Sequence, residues 1–241
     1  MKSFVFPSFA WAPAALGLLL AASPAVQAAK LKMPLNDTGA NLCLNTSTNQ
    51  FTTQCAGTGQ DGETGRDVTS KSAADGRLGF SYQKVCNSGE LAGVGACPAD
   101  PVLGTAATDW GCTKDKVTGL IWEIKTDSGL RGADNYYTNW GDGRSGDASA
   151  FVAAVNAQGL CGATNWRLPT QVELQGLVDY SVTSPPTINT QWFPSTGGVY
   201  WTADRLKGGA ANAWVVQFFD GSVVYYYRYY YNAVRLVRAS Q

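Results

Sequence analysis

Histidine is absent from all 241 residues. Without an imidazole, neither a Ser-His-Asp or Cys-His arrangement nor a histidine zinc site can be assembled. No two cysteines form a C-x-x-C pair, the spacing that accompanies zinc or thiol redox chemistry. Neither sign of charge is in surplus, since 18 Lys plus Arg balance 18 Asp plus Glu. A neutral chain lacks the basic field that phosphate contacts require, so nucleic acid is not expected as a partner. Beyond the first 28 residues no run is apolar enough to cross a bilayer, and no membrane span is expected in the mature protein. Paired carboxylates, such as Glu123 with Glu173 or Asp179, are what catalysis would have to use. Glu173 has a plainer role as a helix cap and Asp179 as a partner of nearby backbone, so no enzyme is expected.

What is present at the start is a secretory signal. Lys2 precedes an apolar run, and Val26-Gln27-Ala28 has the small-residue character of a cleavage site, which sets 1–28 apart as a signal peptide. Export to the periplasm, the cell surface or the medium follows. The six cysteines, Cys43, Cys55, Cys86, Cys97, Cys112 and Cys161, suit that destination as three disulfides. Several pairings are open to six cysteines. We expect Cys43–Cys55 and Cys86–Cys97, which close short loops, and Cys112–Cys161, which joins two well-patterned segments.

Residues 29–108 are rich in Gly, Thr, Ser, Asn and Asp, and "CAGTGQDGETGRDVTSKSAADG" follows neither helical nor strand period. This reads as a loop-rich, disulfide-containing segment with a short strand at "LGFSYQKVC", wrapping the half that follows. Patterning sharpens over 109–241. "GLIWEIKT" reads as a strand with Leu120, Trp122 and Ile124 on one face and Ile121 and Glu123 on the other. "DASAFVAAVNAQGLCG" reads as a helix stopped at Gly159. Thr170 with Glu173 forms a capping box, opening a helix expected to hold Val172, Leu174, Leu177 and Val178. "VYWTADRL" and "NAVRLVRA" read as strands, and helices followed by strands indicate an α+β domain.

"AWVVQFFDGSVVYYY" reads as a hairpin with Asp220-Gly221 as a two-residue turn. That register sets Phe218 against Val223, Val216 against Tyr225 and Trp214 against Tyr227. One face, with Tyr225 and Tyr227, is then expected to be core, and the other, with Tyr226 and Arg228, a half-polar surface. Six of the seven positions from Tyr225 to Tyr231 are tyrosine. Tyrosine offers a large contact area with few rotors and a hydroxyl that bonds to almost anything. Tyr226, Arg228, Tyr229, Tyr230, Tyr231 and Asn232 are therefore the candidate ligand-binding residues, with Trp201 and Asp204 bordering them.

The runs "DKVTGLIWE", "GLCGATNWRLPTQVELQGLVDY", "INTQWFP", "VYWTAD" and "VRLVR" resemble the bacterial domain family named after the C-terminal domain of the Legionella collagen-like adhesin. The resemblance spans about Trp110 to Ala239. It implies a C-type-lectin-like fold, two helices on small antiparallel sheets, and an exported, adhesin-like, non-catalytic module for a glycan or protein ligand. An oligomer is open, as is a cell-envelope interaction subunit that uses the same patch as a permanent interface. Some family members are also diversified by retroelements near their C-terminus, which a Tyr- and Asn-rich end would fit. No collagen-like repeat is present, so the founding adhesin's trimer and its glycan do not transfer. Trp166, Arg167 and Pro169 of "W-R-L-P-T" read as structural. No cofactor is expected. Calcium alone has a candidate seat, in the Gly-rich loop carrying Asn139, Asp142 and Asp147, although the sugar-binding calcium motif of true C-type lectins is absent.

Overall fold

A computed structural model of the chain describes residues 35–70 and 74–240. The signal peptide expected over 1–28 lies outside the described residues.

Tyr82–Cys86 (β3), Trp110–Asp115 (β4), Leu120–Glu123 (β5) and Val237–Ala239 (β9) form an antiparallel sheet in the order β3-β4-β5-β9. Successive strand residues point to opposite faces, and here both faces are covered. Leu120, Trp122 and Ile124 enter one apolar core with Tyr82, Leu174, Phe193, Tyr200 and Phe218. Ile121 enters a second with Val85, Phe151, Val155, Trp166 and Trp201. A second sheet, β6 (Val199–Leu206), β7 (Gly209–Gln217) and β8 (Val223–Tyr227), also contributes to both cores. The loop-rich segment before Trp110 supplies β3 to the first sheet, and its own small hairpin pairs β1 (Cys43–Asn45) with β2 (Gln50–Thr52). One helical turn, α1 (Arg66–Thr69), follows. The architecture is mixed α+β with few helices and small antiparallel sheets.

The cysteines pair Cys43–Cys55, Cys86–Cys97 and Cys112–Cys161. The last joins β4 to the turn after α2 (Ala148–Gln158). Asp147 caps α2 by accepting from the Ser149 amide, and Gly159 ends it in the left-handed region at φ 63°. α3 (Gln171–Gln175) opens with the full Thr170–Glu173 capping box but runs for five residues. Leu177 and Val178 are buried after its end rather than on it, and Val172 is exposed. The helix stops because the Leu177 and Val178 amides bond in tight turns to Leu174 and Gln175, turning both side chains into the first core.

The hairpin differs from the two-residue turn expected. Val216 pairs with Val223 and Trp214 with Tyr225, and Gln217 N donates to Ser222 O, so the loop is Phe218–Gly221. Phe218 leaves the ladder because its backbone bonds elsewhere: its amide to Gly198 O, and its carbonyl to the Thr187 amide and hydroxyl. The shift is two residues, so the partition of side chains between faces survives but their environments do not. Near the turn both faces are covered, and Val215, Val216, Gln217 and Phe218 are all buried. Toward the far end only the face carrying Ala213 and Val215 meets a core. Tyr225 and Tyr227, expected in the core, therefore stand exposed.

The final segment also departs from a single strand. Residues 232–238 are all buried, yet only Val237–Ala239 joins β5 as strand. Ala233 bridges to Tyr200 of the other sheet, so the chain passes from one sheet to the other. Glu123, fully buried, fixes this crossing. Its carboxylate accepts from Leu236 N at 3.0 Å, its carbonyl accepts from Arg235, and Lys125 Nζ lies 2.9 Å from its Oε1. The Arg235 guanidinium also lies over the Phe193 and Tyr200 rings.

Removing the Glu123 side chain leaves Lys125 an uncompensated buried cation and the Leu236 amide without its acceptor, so Glu123→Ala should cost about 3–5 kcal/mol in urea denaturation. Replacing Cys112 and Cys161 together by alanine opens a loop of 49 residues' separation. That double variant should lose about 4 kcal/mol relative to the oxidised chain.

Candidate functional site

The site begins where β8 ends. Tyr225 and Tyr227 share the outer face of the hairpin with Trp214, and the Trp214 and Tyr225 rings meet edge to face at 5.9 Å. Tyr226, of opposite parity, is half-buried against the second core, and its hydroxyl accepts from Gln217 Nε2 at 2.8 Å. The amide of Tyr230 then donates to Tyr227 O, closing a turn. The Tyr227 and Tyr229 rings stack at 5.3 Å and 12°, and Tyr230 sits edge-on to Tyr229 at 4.8 Å. Exposure of Tyr225, Tyr227 and Tyr229 to Tyr231 spans 45% at Tyr230 to 66% at Tyr231. Five tyrosines, Tyr225, Tyr227, Tyr229, Tyr230 and Tyr231, thus stand exposed, and the rings of Tyr227, Tyr229 and Tyr230 form one contacting cluster.

Two inward-turned residues bracket the exposed turn. Arg228, expected on the surface, is 6% exposed. Its Nε donates to Asn139 O at 2.5 Å, Nη1 to Ala210 O at 3.2 Å and Nη2 to Trp140 O, with the guanidinium over the Trp140 ring at 5.3 Å. Its backbone bonds Ala211 O and Asn139 N. Parity explains the burial: Arg228 lies on the same face as Tyr226, and loop carbonyls rather than a carboxylate satisfy it. Desolvation, and then the charge of Arg205, lower its pKa. Asn232 is also buried, its backbone exchanging both hydrogen bonds with Tyr137. Residues 137–140 therefore hold both ends of the tyrosine turn.

The remaining candidates fall elsewhere. Trp201 pairs with Val215 on the inner face, is fully buried, and donates its indole N–H to Tyr137 O at 2.7 Å. Asp204 is half-buried and accepts from Gln171 N at 2.6 Å at the start of α3. Glu123, Glu173 and Asp179 are engaged separately: Glu123 with Lys125, Glu173 with Arg167 and Thr170, and Asp179 with Arg77 and Ser181. In the Gly-rich loop, Asp142 is paired with Arg144. Asp147 accepts from Thr138, Trp140, Gly141 and both the amide and hydroxyl of Ser149. Asn139 Nδ2 donates to Thr202 O. Its lone pairs already taken by N–H and O–H donors, Asp147 is a brace for the loop rather than a calcium ligand.

These features define a disulfide-stapled α+β module with an aromatic outer surface set on an internally braced loop. The family model of the Lcl C-terminal domain matches residues 111–238, more than half of the chain, and the chain belongs to that family. No catalytic family is indicated. No curated protein matches the chain.

Burial tends to raise the Asp147 carboxyl, but hydrogen bonds from Ser149, Trp140 and Thr138 outweigh it and hold the pKa below the ordinary value. A depressed folded-state pKa contributes stability above the unfolded carboxylate value of about 3.9, lost as pH falls through the folded value. Asp147→Ala should cost about 1–2 kcal/mol near neutral pH as a lost cap. In an acid titration of stability, the variant's deficit should shrink below about pH 4. A deficit independent of pH would contradict this assignment.

Proposed function

We propose that the chain is an exported, non-catalytic, adhesin-like module that takes a glycan or protein partner on the surface formed by Tyr225, Tyr227, Tyr229, Tyr230 and Tyr231. The observation that carries the reading is the exposure of these five rings on a backbone held at both ends by buried residues. Large apolar groups left in water on an anchored surface mark contact sites. Tyrosine suits that use because few rotors are frozen on binding and each ring keeps a polar hydroxyl. Anchoring through Arg228 and Asn232 lowers the ordering cost of association further. The arrangement is taken to be C-type-lectin-like, supported by family membership and by small sheets packed with short helices. Export is supported by the three disulfides and the family.

Glycan and cell-surface-protein arrays probed with the oxidised protein test the reading. The triple variant Tyr229→Ala, Tyr230→Ala, Tyr231→Ala should weaken any hit by at least about tenfold, the scale of a hot-spot loss. Its melting temperature should stay within a few degrees, because half-exposed rings contribute little to the core (about 0.5 kcal/mol each or less). A hit that survives the triple variant overturns the assignment. A stable dimer in light scattering that buries the same rings would make the patch a permanent interface instead.

A further inference from the structure

Asp37, Asp61 and Asp67 come from separate turns of the N-terminal segment, yet an oxygen of each lies within 4.8 Å of the others. Asp67 is fully buried, and neither of its carboxylate oxygens has a hydrogen-bond partner. Among the described residues none of the three is paired with a lysine or arginine. The Arg66 side chain, next in sequence, donates instead to Gly79 O. Asp37 is held in place by the Thr38 and Arg66 amides, and Asp61 accepts from the Thr38 hydroxyl. Gly65, at φ 114°, allows the Asp37 carboxylate to approach the backbone where any β-carbon would collide with it. So the fold spends backbone donors and a glycine on gathering three like charges, and buries one with nothing to balance it. A sequestered carboxylate facing two others is unfavourable as an anion unless it takes up a proton or a counter-ion is present.

We propose that Asp37, Asp61 and Asp67 form a divalent-cation site whose ion is calcium. Hard carboxylate oxygens supplied from irregular turns suit calcium, which accepts more oxygen ligands and looser geometry than magnesium. The bound ion ties the start of the described chain, the 3-10 turn Asp61–Glu63 and α1 into one knot beside the Cys43–Cys55 hairpin. The site is distinct from the tyrosine surface and from the Asp142–Asp147 loop.

Calorimetric titration of the disulfide-bonded protein with calcium chloride, with magnesium chloride as comparator, tests the proposal. Expected is one calcium per chain with a Kd on the order of 10⁻⁴–10⁻³ M, as in extracellular modules, and a melting temperature that rises with calcium and falls in EDTA. Asp67→Asn should weaken binding by at least about tenfold while melting in EDTA no lower than the unsubstituted protein, because it removes the unbalanced charge. Should that variant fail to fold, Asp61→Asn, at an exposed position, must show the same loss. No heat of binding and no thermal shift at about 10 mM calcium, far above the expected range, would overturn the site. Full affinity in Asp61→Asn would do the same, and equal binding of magnesium would overturn the choice of ion.

Discussion

Everything about the outer surface depends on the short loop 137–140, which grips the chain immediately before and after three consecutive tyrosines. Arg228 fills its guanidinium with carbonyl oxygens of that loop and of β7, and Asn232 exchanges backbone bonds with Tyr137. With both flanks turned inward, Tyr229, Tyr230 and Tyr231 have nowhere to go but water. Their rings then settle against one another and Tyr227 rather than into a core. The loop itself is braced by Asp147, which collects donors from residues on either side of it while capping α2. A helix start, a buried cation and an aromatic surface are thus mechanically one unit.

Behind that unit, two apolar cores share the same sheets. Strands covered on both faces give near-continuous burial, as in Leu120–Glu123. The crossing of residues 232–238 from one sheet to the other closes the domain, and its charged side chains have to be buried to make the passage. Glu123 accepts the bonds that allow this: its carboxylate pairs with Lys125 and takes the Leu236 amide, and its backbone carbonyl takes Arg235. Family membership over residues 111–238 covers this closing segment as well as the loop and the tyrosines.

Local chemistry was legible from residues alone wherever neighbours in sequence do the work. The Thr170–Glu173 capping box, the Gly159 stop and the alternation of "GLIWEIKT" need only adjacent residues, and all appear in the fold. The aromatic hairpin was harder. Parity divides β7 and β8 correctly between two faces, but it carries no label saying which face a core will cover. Hydrophobicity points the wrong way, because the large rings of Tyr225 and Tyr227 face water while Ala213 and Arg228 face inward. Phe218 conceals the turn for a related reason, since its backbone is claimed by Gly198 and Thr187, residues distant in sequence. Asp37, Asp61 and Asp67 left no sequence signal, as their gathering depends on turns that follow no period.

The central claim is that the five outer tyrosines form the contact surface and that the buried rings of Tyr82 and Tyr200 are structural. Tyrosine nitration with peptide mapping, on the protein alone and bound to its array-identified partner, tests this most directly. The account predicts that Tyr225, Tyr227 and Tyr229 to Tyr231 are modified in the free protein and shielded in the complex, with buried Tyr82 and Tyr200 unreactive in both. Continued reactivity of Tyr229 to Tyr231 in the saturated complex would contradict it.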